Sequence, residues 1–142
     1  MARGFLDASV LFSACYSTTG HSHDLILMAL REEFQLVGSA LVFEEARRNL
    51  AIYSEEYVVF LNFVIDSIQP ELVRPTKSQV LAAAKHVALK DAPIIAAARK
   101  AKVDILATLD KKHLLEKPEL EQVAKAKILT PAEAVAFLRR QN

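Results

Sequence analysis

Short apolar runs alternate along this chain with longer stretches in which apolar residues return every three or four positions. The runs, at 4–6, 34–38, 72–74, 103–109 and 126–129, have the length of buried strands. The stretches between them carry helical spacing. The first resumes at Ala8, directly after Asp7. The next covers 22–33, with Leu25, Met28 and Ala29 at helical intervals and Ser22 as N-cap, which leaves His21 and His23 in a loop. Ser39 caps a helix to Leu50, and Glu55 and Glu56 open another through Ile68, where acids favour the helix dipole. Thr76 starts a helix to His86. Asp91-Ala92-Pro93 then opens an alanine-rich helix to Lys102, with proline in the first turn where its missing N–H costs nothing. A short basic helix or turn is expected over 111–115, and an acidic segment after Pro118. A last helix follows over 134–140 behind the capping-box-like Thr130-Pro131-Ala132-Glu133. Strands alternating with helices predict an α/β fold, a three-layer α/β/α arrangement around a parallel, roughly five-stranded sheet.

One helix departs from the pattern. Tyr57, Val58, Val59, Phe60, Leu61, Phe63, Val64, Ile65 and Ile68 surround 55–68 on nearly all sides, about twice what one core-facing stripe needs. It is expected either to be buried on two sides or to carry an interface, to a second copy of the chain or to another protein.

The 142 residues suffice for one full core and are too few for two, and no repeat or linker divides them, so 1–142 reads as a single domain. A net charge of +1 selects no partner. The halves differ, however: residues 1–71 hold four Lys/Arg against ten Asp/Glu, and residues 72–142 hold fourteen against seven. Such asymmetry can set a basic surface beside an acidic pocket. The single cysteine, Cys15, excludes an intrachain disulfide and suits a reducing cytoplasm; its apolar neighbours mark it as buried and inert. The N-terminus lacks the apolar core of a signal peptide, and no run approaches the ~20 residues of a membrane helix.

Four acids fall where elements change over. Asp7 follows the first strand, Asp110 follows the fourth, Asp91 opens a helix, and Glu45 (or its neighbour Glu44) lies about two turns into the helix after strand two. In a doubly wound sheet these positions converge on the carboxyl edge of the strands, where ligands bind. Oxygen ligands suit a hard cation, Mg²⁺ or Mn²⁺, which can lower the pKa of bound water and stabilise charge in phosphodiester cleavage. Taken singly, Asp7 and Asp91 serve equally well as helix caps. Basic residues stand close by in sequence: Arg47 and Arg48 near Glu45, Lys90 before Asp91, and Lys111, Lys112 and His113 after Asp110. They are candidates for phosphate contacts, which position a nucleic acid without reading its sequence.

The wording around these acids resembles the PIN-domain family of metal-dependent nucleases. FLDASVL is similar to that family's opening strand and D-x-[SN]-V-L. GSALVFEEARRNL resembles its second motif, with a glutamate six residues after the serine, which points to Glu45. LKDAPIIAAARKAKVDILATLDKKHL resembles the third, an aspartate opening an alanine-rich helix and T-x-D closing the fourth strand. ILTPAEAVAFL is similar to the closing strand and helix of the family's toxin members. The resemblance covers nearly the whole chain, in order. It implies a ribonuclease whose acidic, metal-holding site is Asp7, Glu45, Asp91 and Asp110, supported by hydrogen bonds from Ser9 and Thr108. Arg47, Arg48, Lys111 and Lys112 would face RNA. It also implies the toxin half of a toxin–antitoxin pair, with a small antitoxin protein as partner. One position departs: many members carry a further acid where this chain has Lys112, which weakens the case for a second metal. That departure keeps open a non-catalytic RNA-binding module. Other acidic-edge enzymes fit less well, since Ser9 stands where a D-x-D phosphotransferase needs its second acid, and no Gly-rich phosphate loop exists.

Overall fold

The computed structural model describes residues 1–141. Its five strands are β1 (Arg3–Leu6), β2 (Gln35–Gly38), β3 (Glu71–Leu72), β4 (Ile105–Ala107) and β5 (Lys127–Leu129). All pair in parallel, in the order β3-β2-β1-β4-β5. β1 and β4 are the central neighbours, in register Gly4↔Ile105, Phe5↔Leu106 and Leu6↔Ala107. Both read as continuous apolar runs because each is covered on both faces, as parallel strands are.

The helices are α1 (Ala8–Tyr16), α2 (His21–Leu30), α3 (Ala40–Ala51), α4 (Glu55–Ile68), α5 (Lys77–Ala83), α6 (Ala92–Ala101), α7 (Leu120–Ala124) and α8 (Pro131–Gln141). α1 to α4 pack on one another and α8 joins them through α2, whereas α5, α6 and α7 form a separate group. Right-handed crossovers place these groups on opposite faces of the sheet. The result is the expected three-layer α/β/α fold.

Local chemistry sets the joints. Ser39 caps α3 by accepting a hydrogen bond from the Val42 N–H at 3.2 Å. Thr76 and Gln79 form a reciprocal capping box at α5, and Thr130 and Glu133 form another at α8. Gly38 lets the end of β2 pass close to α3: a Cβ there would stand 2.5 Å from Phe43 Cζ and force that ring to move. Gly20 precedes α2 at φ 97°, a conformation L side chains rarely adopt.

Several boundaries differ from the sequence reading. α2 begins at His21, one residue before the expected span, because Gly20 and not Ser22 is the N-cap; Ser22 is buried inside the helix. His21 and His23 are therefore helical, not in a loop. His23 donates from Nδ1 to the Ala14 carbonyl, 2.8 Å away, and stacks on Phe60. Strand three is Glu71–Leu72 instead of 72–74, since Pro75 follows and Val73 gives only its N–H to Gly38. α5 stops at Ala83, short of His86, and a helix the sequence did not announce, α7, forms in the acidic segment. The last helix starts three residues early, at Pro131.

α4 settles the question its composition raised. Val58, Leu61 and Val64 are buried, each worth roughly 1.5–3 kcal/mol against exposure. Tyr57, Phe60, Ile65 and Ile68 are half-buried against the same core. The helix is covered from several sides by α1, α2 and α3, and its outward apolar residues are Val59 and Phe63, 62% and 63% exposed. Cys15 is buried in α1, and burial pushes its thiol up to about 12.

Candidate metal centre at the carboxyl edge of the sheet

The strand order reverses between β1 and β4. From β1 the chain moves toward β2 and β3; from β4 it moves the other way, to β5. Such a switch point opens a crevice beyond the strand ends, because the two connections leave in opposite directions. Asp7 follows β1 directly, and Asp110 lies just past β4.

Asp7 is buried and does two jobs. Its Oδ1 accepts the Ala8 N–H at 2.7 Å, capping α1. Its Oδ2 accepts the Thr108 hydroxyl at 2.8 Å and, more weakly, the Ser9 hydroxyl at 3.4 Å. Both hydroxyls continue across the crevice. Thr108 Oγ1 accepts the Asp110 N–H at 3.1 Å, and Ser9 Oγ accepts the Leu109 N–H at 3.2 Å. The end of β1 is thus tied to the end of β4 through two side chains. Asp110 is held in turn: its Oδ1 accepts the His113 N–H at 3.0 Å and faces His113 Nδ1 at 3.3 Å. This closes the π-helical turn Lys111–Leu115 over the site.

Asp91 sits where a cap belongs but does not cap. It stands at the N-terminus of α6, makes no side-chain bond to that helix, and is buried. Its Oδ2 is a buried side-chain oxygen with no hydrogen-bond partner. Leaving a buried carboxylate oxygen unpaired costs ~1–3 kcal/mol or more, so native proteins keep such atoms for a reason. Here the reason is adjacent. Ligand atoms of Asp91, Asp110 and His113 all lie within 4.8 Å of one another, a spacing that can enclose one cation.

Asp7 and Glu45 flank this group. The Asp7 carboxyl is pushed above the ordinary carboxylate range, chiefly by burial. The bonds from Thr108 and Ala8 oppose that shift, and the negative charges of Glu45 and Asp91 add to it. Glu45 itself is exposed on α3. Of the two neighbouring glutamates, Glu45 is the one whose charge acts on Asp7.

The basic candidates divide. Lys111 and Lys112 are exposed at the start of the π-helical turn, beside Asp110, and Lys90 is exposed beside Asp91. Arg48 is exposed. Arg47 gives its Nε to Asn62 Oδ1 at 2.7 Å, so its guanidinium braces α3 against α4. His113, grouped in the sequence with the basic candidates, is drawn into the acidic group. Its spacing of three residues from Asp110 was the signal, since a residue there can turn back on the side chain that caps its own turn.

Fold and site together define an α/β/α domain with a carboxylate-lined switch point. Among solved structures the chain is similar to PAE2754 from Pyrobaculum aerophilum, at 18% identity and a TM-score of 0.63, over 98% of each chain. It is also similar to FitAcB from Neisseria gonorrhoeae, at 17% identity and a TM-score of 0.58, over 90% of this chain and 97% of that one. At these identities the likeness is one of fold. No family model and no curated protein sequence matches the chain.

Proposed function

We propose that this chain is a divalent-metal-dependent ribonuclease of the PIN type, the toxin component of a toxin–antitoxin pair acting in the cytoplasm. The observation that carries the reading is the unpaired, buried Oδ2 of Asp91, a residue whose carboxylate groups with Asp110 and His113. The residues present fit a hard cation. Carboxylate oxygens dominate, as Mg²⁺ or Mn²⁺ prefers, and one buried oxygen has no hydrogen-bond partner among the described residues. Asp91 and Asp110 would hold the ion, with Asp7, Glu45 and His113 around it. The chemistry such an ion supplies is a more acidic water and stabilised charge on a phosphodiester.

The chain's own side chains set the stage for that chemistry. Thr108 fixes the carboxylate of Asp7, and the same hydroxyl fixes the backbone of Asp110. Ser9 holds Leu109, so the segment carrying Asp110 cannot swing away from β1. Lys111 and Lys112 stand where a phosphate approaching Asp110 would meet them, and neither belongs to an ion pair among the described residues. Val59 and Phe63 supply an apolar face on α4 for a second copy of the chain, and a small antitoxin protein would restrain the nuclease by covering the acidic edge.

The test is cleavage of RNA with and without Mg²⁺ or Mn²⁺, comparing the wild type with Asp7→Asn and Asp91→Asn. Metal-dependent cleavage lost in both variants is the expected result. Cleavage without metal, or variants as active as the wild type, overturns the mechanism. RNA that is bound but never cut would leave the binding module that Lys112 suggests.

A further inference from the structure

A trench of about 920 Å³ lies over the far half of α6, walled by α5 and α7. Arg99 stands about two turns beyond Asp91, ~12 Å along the helix axis, so the trench is separate from the acidic edge. Its floor is shallow-sided because Ala82, Ala83 and Ala96 carry no bulk. Arg99, Lys100 and Lys102 all line it, against one acid, Glu119. None of these four belongs to an ion pair among the described residues. Lys100 gives Nζ to the Arg74 carbonyl at 2.7 Å, and Arg99 makes one long bond to the Val123 carbonyl, 3.4 Å, so most of the guanidinium's donors are unused. Lys102 has no side-chain partner among the described residues. Cations at a helix C-terminus complement the dipole, which accounts for Arg99 and Lys100 being basic. It does not account for a concavity that gathers them with Ser78, Gln79 and Gln122, all hydrogen-bond donors.

We propose that this trench holds the sugar–phosphate backbone of single-stranded RNA, as a sequence-blind second contact away from the acidic edge. The identity of the nucleic acid as RNA rests on the function proposed above; the site itself rests on the trench. Arginine, lysine, serine and glutamine are the side chains that contact phosphate and sugar. The lining has no Phe, Tyr or Trp on which a base could stack and a single imidazole, His86, so the contact is chiefly to backbone. A protein partner is disfavoured by the same lining. Protein interfaces are carried by large anchors seated in apolar pockets, and the larger apolar residues here, Ile95 and Val123, are buried and half-buried.

The measurement is fluorescence anisotropy of a labelled single-stranded RNA of about 12 nucleotides, in EDTA, titrated between about 50 and 200 mM salt. Arg99→Gln/Lys102→Gln is compared with the wild type, with thermal melts to establish that both are folded. The double variant is expected to bind roughly tenfold more weakly, and its salt slope to fall by about 1.4, or about 0.7 per lost phosphate contact. Unchanged affinity and slope in the folded variant overturn the proposal. So does a polyglutamate probe that competes for the trench while RNA does not, which would make it a docking site for an acidic protein segment. The two readings fail separately. Binding that depends on Arg99 and Lys102 without any cleavage sinks the nuclease alone; metal-dependent cleavage with unaltered binding in the variant sinks the trench alone.

Discussion

Helix α6 begins in one chemical environment and ends in another. At its start Asp91 is buried, next to Asp110 and His113, within a network where Ser9 and Thr108 each bond in two directions. At its end Arg99, Lys100 and Lys102 stand in an open trench, their charges unpaired. The first region is held by the fold before anything binds. The second is held only by the bonds of Lys100 and Arg99 to backbone carbonyls, and most of its donors have no protein partner among the described residues. Preorganised groups carry part of their cost in the stability of the protein; solvated groups carry it in the entropy of binding. Substitutions at the acidic edge should therefore change chemistry and stability together, and substitutions in the trench should leave the fold alone.

The largest effect should come from removing the charge that faces the proposed ion. Asp91→Asn or Asp110→Asn is expected to lower metal-dependent RNA cleavage by ~100-fold or more, measured as single-turnover rates at saturating metal. A loss below tenfold in both would break the assignment of these acids. Thr108→Val comes next. It strips the buried Asp7 oxygen of its strongest bond and leaves the Asp110 N–H without its acceptor, so stability should fall by ~1–3 kcal/mol in a denaturant titration. Metal affinity should fall about 10–100-fold, whereas Thr108→Ser should recover most of both.

Asp7→Asn should act in the opposite sense on stability. Burial holds the Asp7 carboxyl above its unfolded value, so as pH rises past the ordinary carboxylate range the unfolded chain gives up its proton first and gains on the folded one. The neutral variant escapes that loss. In metal-free protein its Tm relative to the wild type's should therefore rise as pH is raised from the acid range to neutrality. The gain should vanish below about pH 4, where both states of the wild type are protonated. An equal Tm at all pH values would mean that the edge stores no such strain. The smallest effect belongs to the trench: Arg99→Gln/Lys102→Gln should keep its stability within about 0.5 kcal/mol, since neither charge is paired.

Much of the acidic edge was legible because its residues sit where hydropathy changes. Asp7 and Asp110 end apolar runs and Asp91 follows a polar break, so the period of the pattern and the position of the acid agree. Strand four was read too long, as 103–109, because Thr108 and Leu109 continue the apolar run. The ladder itself ends at Ala107, where Thr108 turns its side chain into the network. Hydropathy records burial and not hydrogen bonding, so it could not separate the two. The role of Asp91 was ambiguous for a similar reason. An aspartate before Ala-Pro looks like a cap, and only the structure shows a carboxylate that declines to be one. The trench left no trace in the sequence except the basic excess of the second half. It exists because α5, α6 and α7 meet, and α7 is a five-residue helix whose formation depends on that packing.

The pairing of β1 with β4 also sets an order of events for the growing chain. The first strand lies at the centre of the sheet, yet its partner Ile105 is separated from Gly4 by most of the sequence. During synthesis Asp7 and Glu45 emerge long before Asp91 and Asp110, and the central seam cannot close until the fourth strand has left the ribosome. The same strand pairing that builds the crevice thus delays it. A nascent chain carries half of the carboxylates and no crevice to gather them in, so whatever this edge does, it begins only after the fourth strand has been made.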